Sequence, residues 1–207
     1  MKLLLFSDVH CSQTAIDQLL KRSELADVLV GAGDFAVMRK GLAKTMQPFA
    51  DLDKPLVAVC GNGESDQELA DAVNGDHIRV LHATACEIDG VTFFGLGGGI
   101  PVTPFGSWSF DLSEEAAAEH LAKSPTPLDV LVVHSPPHGA VDRCSKGNRL
   151  GSTAIRDFVI ASQPKLVVCG HIHDSAGQWE RIGDSVVVNA GPAGLLWDLE
   201  CNEVVEA

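Results

Sequence analysis

Seven side chains of the types that bind transition metals follow short apolar runs in this sequence. They are Asp8, His10, Asp34, Asn62, His134, His171 and His173. Carboxylate, amide and imidazole donors in one set are typical of sites for Mn, Fe, Zn, Co or Ni rather than for Ca or Mg. Seven donors are more than one four-coordinate zinc ion uses. The set therefore predicts two adjacent divalent cations that share one carboxylate.

Each of these residues also has a simple structural interpretation when it is taken alone. Asp34 is of a type that often caps a helix, and Asn62 is of a type that often adopts the left-handed conformation of a turn. His134 could be an ordinary strand-end histidine. The pair His171-x-His173 is more specific, because alternate residues of an extended segment point to the same side and two imidazoles without a metal repel each other once protonated. The occurrence of all seven together favours a metal site.

Five predicted β-strands end where these ligand types begin. The strands are predicted over residues 2–6, 28–30, 55–60, 128–133 and 166–169. In α/β sheets the carboxyl ends of the strands meet at one edge, where ligands bind. Side chains from these strand ends are therefore expected to converge, although they lie far apart in the sequence.

The remaining apolar patterns complete an α/β chain. Helices are predicted over residues 12–21, 38–49, 65–73, 113–122 and 154–161, and further strands over 78–81, 85–88, 91–96, 186–188 and 195–199. Asp89-Gly90 is a two-residue hairpin signal. Two long loops, over 97–109 and 136–152, are expected to carry function. The pattern predicts a single α/β domain over residues 1–207, with sheets covered by helices on their outer faces.

Composition excludes several classes of protein. The hydrophobic content of 45% is too high for a disordered chain, and no stretch approaches the ~20 consecutive apolar residues of a membrane span. The first apolar run, over 3–6, is shorter than the ~7–15-residue core of a signal peptide. The six cysteines form no Cys-x-x-Cys pair, and four of them adjoin apolar runs, as expected of reduced thiols. We therefore expect a cytoplasmic protein.

The charge distribution argues against a nucleic acid as partner. Fifteen Lys and Arg side chains oppose 28 Asp and Glu side chains, which gives a formal net charge of −13. Duplex binding depends on clusters of Lys and Arg, and this sequence has no basic run. An acidic chain that handles phosphate needs a local source of positive charge, and bound cations provide one.

The ligand residues lie in five short motifs whose order resembles that of the calcineurin-like metallophosphoesterase family. The motifs are Asp8-x-His10, Gly33-Asp34, Gly61-Asn62, His134 and Gly170-His171-x-His173. The resemblance covers residues 8–173, and the order of the motifs, their residue types and their places at strand ends all agree. It implies a four-layer αββα sandwich, made of two mixed sheets flanked by helices, with a dinuclear metal centre at one sheet edge.

The resemblance also implies which residue binds which ion. One metal would bind Asp8, His10, Asp34 and His173, and the other would bind Asp34, Asn62, His134 and His171. Asp34 would then bridge the ions, and a bridging hydroxide would attack the phosphorus of a small phosphate ester in line. Asp34, Asn62 and His134 are the expected catalytic residues, and manganese is the favoured metal.

The sequence departs from the family pattern at Gly63. The third motif of the family continues as Gly-Asn-His followed by Asp or Glu, whereas here it is Gly61-Asn62-Gly63-Glu64. The histidine that usually protonates the leaving oxygen or steadies the transition state is absent, and general acid catalysis is typically worth ~10²–10⁴-fold. We therefore expect modest turnover and a preference for aryl esters or some diesters, unless His138 or another loop residue substitutes. Glu64 is interpreted as a carboxylate at a helix N-terminus.

The two long loops are expected to bind the substrate. Trp108 could stack on a base or an aryl group. Arg143, Lys146 and Arg149 give the second loop cationic character, and an arginine can fork onto phosphate. The candidate substrate contacts are therefore Trp108, His138, Arg143 and Arg149, although solvated charges and ordinary loop packing explain the same residues.

Two other functions are compatible with the sequence. A non-catalytic metal-binding scaffold or binding module of the same fold would explain Gly63, but it does not explain why all seven ligand types are present. A nuclease is a further activity found among relatives of the family, and the charge of −13 argues against it. The apolar C-terminal strands could pair between chains, so a homo-oligomer is possible.

Overall fold

The computed structural model describes residues 1–73 and 75–205. Residues 74, 206 and 207 of the predicted domain lie outside this description. The strands are β1 (Lys2–Phe6), β2 (Val28–Ala32), β3 (Leu56–Val59), β4 (Ile78–Val80), β5 (Thr84–Ile88), β6 (Val91–Leu96), β7 (Val130–Val133), β8 (Leu166–Cys169), β9 (Trp179–Ile182), β10 (Ser185–Asn189), β11 (Leu195–Asp198) and β12 (Glu203–Val204). The helices are α1 (Gln13–Ser23), α2 (Leu42–Ala50), α3 (Asp66–Ala72), α4 (Glu114–Leu121) and α5 (Thr153–Ser162), and a 3₁₀ turn spans His173–Ser175. None of these helices is both long and apolar enough to cross a lipid bilayer.

Two six-stranded sheets contain these strands. The first has the order β12-β11-β1-β2-β3-β4, in which β1 to β4 are parallel and β11 is antiparallel to β1. The second has the order β5-β6-β7-β8-β10-β9, in which the four central strands are parallel and the two edge strands are antiparallel to their neighbours. Because each sheet has a parallel centre, the carboxyl ends of several strands meet at one edge of each sheet.

Strand alternation divides the apolar side chains into three layers of core. In β1, Leu3 and Leu5 point between the two sheets, whereas Leu4 and Phe6 pack under the helices of the first sheet. In β7, Val132 likewise lies between the sheets. Helices α1, α2 and α3 cover the first sheet, and α4 and α5 cover the second. The predicted four-layer αββα sandwich is therefore confirmed.

Serine side chains begin four of the described helices. Ser12, Ser65, Ser113 and Ser152 each accept a hydrogen bond from the backbone N–H three residues further on, which satisfies one of the free donors of the first turn. At α3 the side chain of Glu68 accepts from the backbone N–H of Ser65 and completes a capping box. The predicted cap at Ser12 is confirmed.

The second helix begins later than the predicted range 38–49. Met38 and Arg39 adopt the left-handed backbone conformation, with φ of 48° and 68°, and Val37 and Lys40 pair with each other across a tight turn. Helix α2 starts only after Gly41, whose φ is 83°. Met38 is in register with the apolar period of the helix, which is why the sequence pattern extended the helix too far.

The two strands that sequence analysis missed, β9 and β12, lie at the edges of the sheets. Strand β9 presents Trp179, Glu180 and Arg181 to solvent and pairs with β10 at the edge of its sheet, and β12 is two residues long. Neither has an apolar face that a pattern reveals. The predicted hairpin between β5 and β6 is present, and Asp89 and Gly90 at its turn have φ of 48° and 78°, as a type I′ turn requires.

One prediction tests the layer between the sheets. Trp197 is 1% exposed there, and its Nε1 donates to Asn202 Oδ1 at 3.0 Å. Trp197→Ala should lower the free energy of unfolding by about 3–5 kcal/mol, because the layer cannot collapse into so large a cavity. Urea denaturation measures this change.

The matched control is Trp179→Ala, because Trp179 is 51% exposed on the edge strand β9. That substitution should change the free energy of unfolding by less than about 0.5 kcal/mol. A loss at Trp197 no larger than the loss at Trp179 would contradict the assignment of Trp197 to the core.

Candidate metal centre

The structure brings the seven candidate ligands together at the carboxyl ends of five strands. Asp8 and His10 follow β1, Asp34 follows β2, Asn62 follows β3, His134 follows β7, and His171 and His173 follow β8. Strands β1 to β3 belong to one sheet, and β7 and β8 belong to the other. The centre therefore lies where the two sheets present their carboxyl edges to each other.

Asp34 lies between the histidines of the two sheets. Its Oδ2 is 3.6 Å from His10 Nε2, and its Oδ1 is 3.5 Å from His134 Nε2. His134 Nε2 is also 3.3 Å from Asn62 Oδ1, and the ring of His171 packs edge-on against that of His134 with centroids 4.9 Å apart. The two carboxylate oxygens of Asp34 thus face different imidazoles, as the carboxylate shared by two ions would.

Asp8 occupies the other side of the centre. Its Oδ1 is 3.4 Å from His173 Nε2, and His173 Nε2 is 3.2 Å from His10 Nε2. Donor atoms lie within 4.8 Å of one another in two groups, Asp8–His10–His173 and Asp8–Asp34–His134. Asp8 is common to both groups, whereas the family pattern gives Asp34 as the shared ligand. The opposed oxygens of Asp34 favour the family assignment.

The histidine rings show that the donor set fits cations. His10 Nδ1 donates to Ala36 O at 3.1 Å, and His134 Nδ1 donates to Ala32 O at 2.8 Å. Because a carbonyl only accepts, these bonds place the proton on Nδ1 and leave the lone pair of Nε2 aimed at the centre. That lone pair of His134 faces oxygen acceptors of Asn62 and Asp34. Acceptors that face each other at such distances in a buried site repel unless a metal cation or a proton on Nε2 lies between them.

The electrostatics of the centre also favour positive charge. Burial opposes protonation of His134, yet the negative charges of Asp34 and Asp8 raise the pKa of its imidazole above the usual value. Burial raises the pKa of Asp8, but the hydrogen bond from His173 and the charge of His134 outweigh it and lower the pKa to about 2. Burial and the charge of His134 lower the pKa of His171 to about 4, so its ring keeps a free lone pair at neutral pH.

Four candidate ligands are held in the left-handed region of backbone conformation. The φ angles are 54° at Asp8, 44° at His10, 57° at Asp34 and 65° at His171. Such conformations cost of order 1–3 kcal/mol each in non-glycine residues and persist only where the surroundings impose them. The strand ends therefore fix these side chains in place before any ion binds.

The glycines of the Gly-Asp and Gly-Asn motifs allow the two loops to touch. A Cβ at Gly33, whose φ is 86°, would lie 2.5 Å from Gly61 N. A Cβ at Gly61 would lie 2.1 Å from Asp34 Oδ1. Any side chain at either position would push the ligand loops after β2 and β3 apart.

Gly63 contributes a backbone donor to the centre. Its N–H donates to Asp34 Oδ1 at 2.7 Å. A Cβ at this position would lie 3.2 Å from both Ala36 O and Asp34 Oδ1, so a side chain fits if its neighbours shift by a few tenths of an ångström. A larger residue at this position therefore requires Ala36 O and the Asp34 carboxylate to move slightly.

Glu64 does not act as the helix N-terminal carboxylate that the sequence predicted. Ser65 and Glu68 cap α3 instead. The carboxylate of Glu64 is fully buried and accepts from the backbone N–H groups of Phe35 at 3.3 Å, Ala36 at 2.9 Å and Gly61 at 2.9 Å. Burial and the charge of Asp34 raise its pKa. Glu64 thus joins the two loops that carry Asp34 and Asn62.

A cavity of about 410 Å³ opens over the centre. It is lined by His10, Asp34, Asn62, Phe105, Trp108, Cys144, Leu150, His171, Ile172, His173 and Asp174. A larger cavity, of about 600 Å³, opens at the opposite edge of the sheets beside Met1 and Lys165, but no histidine of the described chain lines it. The smaller cavity is therefore the candidate substrate site, because candidate metal ligands line it.

The candidate substrate contacts fall in different places. Trp108 lines the cavity. The guanidinium of Arg149 donates to the buried Asp142 carboxylate at 2.6 Å, and Arg143 is exposed outside the lining. His138 contacts its neighbours through its backbone, and its ring is not among the described residues of the lining. Only Trp108 of the four is brought to the centre.

Sequence reasoning missed Asn189, a fully buried residue that ends β10. Its Nδ2 donates to Gly170 O at 3.1 Å and to Ile172 O at 3.0 Å. These two carbonyls flank His171, so the amide fixes the turn that carries the last two candidate ligands. The same signal that found the other ligands, a polar residue at a strand end, is present at Asn189.

We predict that Asn189→Leu weakens metal binding by about 10–100-fold, because loss of the amide donors frees the turn that carries His171 and His173. Titration of the metal-depleted protein with Mn²⁺ in a calorimeter measures the effect. Gln67→Leu, which removes an exposed amide on α3, is the control and should leave the affinity unchanged. Equal affinities in the two variants would contradict the positioning role.

Comparison with known proteins agrees with this geometry. The human protein named Metallophosphoesterase domain-containing protein 1 is 30% identical over an alignment of 195 positions, and the alignment covers 79% of this chain and 59% of the human protein. This chain spans less than two thirds of the length of the curated relatives it matches.

Solved structures share the fold at low sequence identity. The structure of TT1561 of Thermus thermophilus superposes with a TM-score of 0.82 at 18% identity, covering 99% of this chain and 96% of that one. A dimetal phosphatase from Danio rerio superposes with a TM-score of 0.60 at 14% identity, covering 93% and 88%.

The sequence profile described as "Calcineurin-like phosphoesterase superfamily domain" matches residues 1–204, nearly the whole of the sequence and all five motifs. The resemblance seen in the motifs is thereby confirmed. This chain belongs to the calcineurin-like phosphoesterase superfamily.

Proposed function

We propose that this protein is a phosphoesterase that uses two divalent metal ions to hydrolyse a small phosphate ester, either a phosphodiester or an activated monoester. The observation that carries the proposal is the convergence of carboxylate oxygens and histidine lone pairs on the carboxyl edges of both sheets. The name of the Danio rerio relative in fold, a dimetal phosphatase, agrees with it.

The proposed ligand sets follow the family pattern. Asp8, His10, Asp34 and His173 hold one ion, and Asp34, Asn62, His134 and His171 hold the other. Mixed nitrogen and oxygen donors favour a transition metal, and we propose manganese. When bound, two such ions neutralise charge on the phosphoryl oxygens and lower the pKa of water.

In the proposed reaction, the protein's own residues fix the positions and the tautomers of the candidate ligands. The carbonyls of Ala32 and Ala36 hold the tautomers of His134 and His10, and the N–H of Gly63 holds Asp34. Phosphoryl transfer requires little beyond such positioning and charge stabilisation. The left-handed backbone at four ligands keeps the arrangement rigid.

Gly63 limits the substrates that this site handles well. The N–H of Gly63 is engaged with Asp34, and glycine has no side chain that donates a proton. His138 does not line the cavity in the described chain, so its substitution for the absent histidine has no support. We therefore propose a preference for esters whose leaving group needs no protonation.

A non-catalytic scaffold remains the second candidate, and Gly63 is the observation that favours it. The two functions differ in what the ligands are for. A scaffold has no use for two carboxylates, an asparagine and four histidines around one point, four of them in left-handed backbone. Hydrolysis separates the two candidates.

We predict that the Mn²⁺-supplemented protein hydrolyses bis(p-nitrophenyl) phosphate and that Asp34→Asn and His134→Ala each lower kcat/KM by at least about 100-fold, because each removes an ion ligand. Release of p-nitrophenolate measures the rate. The controls are Asp17→Asn and His120→Ala, which change the same residue types on α1 and α4. Equal rates in the ligand variants and the parent would sink the proposal.

We further predict that Gly63→His raises the rate on a diester with an alkyl leaving group by about tenfold or more, whereas the rate on the p-nitrophenyl ester changes little, since only the poor leaving group needs a proton. The spacing around Gly63 allows the substitution with small shifts. A uniform change on both substrates would count against a missing general acid.

A further inference from the structure

Apolar side chains form one wall of the cavity, next to the candidate metal ligands. Beyond the ligands, the lining consists of Phe105, Trp108, Cys144, Leu150, Ile172 and Asp174. Phe105 is 50% exposed and Leu150 is 46% exposed. Large apolar side chains exposed next to a polar site are typical of a surface that binds something.

The two aromatic rings of the wall are nearly parallel. The centroids of Phe105 and Trp108 are 5.7 Å apart, and their planes differ by 10°. An offset stacked pair leaves part of each aromatic face uncovered by the other ring, and an uncovered aromatic face favours another flat ring over a bulky aliphatic group. The wall is therefore suited to a flat aromatic group.

The loop that carries these rings is tied to the ligand loops. The N–H of Phe110 donates to Asn62 O at 3.0 Å, and the N–H of Gly98 donates to Cys60 O at 3.1 Å. Arg39 donates from Nε to Trp108 O at 2.9 Å and from its backbone N–H to Gly63 O at 2.8 Å. These hydrogen bonds fix the position of the loop that carries the aromatic rings relative to Asn62.

The interior of this loop is also ordered by its own side chains. The Asp111 carboxylate accepts from Thr103 N at 3.2 Å, from Thr103 Oγ1 at 2.9 Å and from Ser109 Oγ at 2.9 Å. Phe105 and Trp108 lie between the residues that Asp111 joins. A wall formed before binding loses little conformational entropy when a ligand arrives.

The charges around the wall select against a further anion. No Lys or Arg is among the described residues of the cavity lining, and the one charged residue beyond the candidate ligands is the acidic Asp174. Arg149 is engaged by Asp142. A second phosphate or carboxylate on the substrate would find no partner here, whereas an uncharged ring would.

We propose that Phe105 and Trp108, together with Leu150, form a binding surface for a flat, uncharged aromatic arm of the phosphate ester. This inference rests on the proposed function, because it places the phosphoryl group of that ester at the seven ligands. Phe105 and Trp108 are then the residues that determine which ester is bound.

The test uses three phosphonates that differ only in the arm: phenylphosphonate, cyclohexylphosphonate and methylphosphonate. Isothermal titration calorimetry on the Mn²⁺-loaded protein gives a dissociation constant for each without any turnover. Phenylphosphonate should bind about tenfold more tightly than methylphosphonate, and more tightly than cyclohexylphosphonate, because aromatic contacts add to the area that any apolar arm buries.

Substitutions in the wall show which side chains cause the preference for phenylphosphonate. Phe105→Ala and Trp108→Ala should each reduce the preference for phenylphosphonate to about threefold or less while the affinity for methylphosphonate stays unchanged. Trp108→Phe should retain most of the preference. Trp179→Ala, which removes a tryptophan that is 51% exposed on β9 and does not line the cavity in the described chain, is the control and should leave all three affinities as they are.

Three outcomes would overturn the inference: equal affinities for phenyl- and methylphosphonate, a preference that survives both alanine substitutions, or no binding of any phosphonate. The proposed function has a separate test, because ester hydrolysis that depends on Asp34 can be present when the phosphonate preference is absent. Conversely, a preference for phenylphosphonate without ester hydrolysis would support the aromatic binding surface and contradict the proposed enzymatic activity.

Discussion

The candidate metal centre depends on how the two sheets bring acceptor atoms together at one point. Carboxylates of Asp8 and Asp34, the amide oxygen of Asn62 and ring nitrogens of four histidines meet at the carboxyl ends of two sheets. Acceptors at such short distances repel in a buried site, so the arrangement is stable only with positive charge among them. The negative charges of Asp34 and Asp8 accordingly raise the pKa of the His134 imidazole.

The sandwich supplies the rigidity that this crowding requires. Strands with apolar residues on both faces are fixed by the layer between the sheets and by the helices outside, so their ends cannot move apart to relieve the repulsion. Hydrogen bonds then hold several of the candidate ligands and the loops that carry them. Glu64 joins the loops of Asp34 and Asn62, Asn189 holds the turn of His171, and Ser7 donates to Asp8 at 2.6 Å.

The sequence predicted the parts of the structure that a local pattern determines. Strands buried on both faces are continuous apolar runs, and polar residues after them mark the candidate ligands. Edge strand β9 and the turn at Met38–Arg39 escaped because nothing in their apolar pattern distinguishes them. The roles of Glu64 and Asn189 are contacts between distant segments, and the pairing of Arg149 with Asp142 shows in no local pattern.

The most direct test of the central claim is the anomalous diffraction of crystals grown with Mn²⁺. Two anomalous peaks should lie about 3.5–4 Å apart, one on each side of the Asp34 carboxylate, with His10 Nε2 beside one and His134 Nε2 beside the other. A map with no peak at Asp34, or with a single peak that touches neither histidine, would contradict the account.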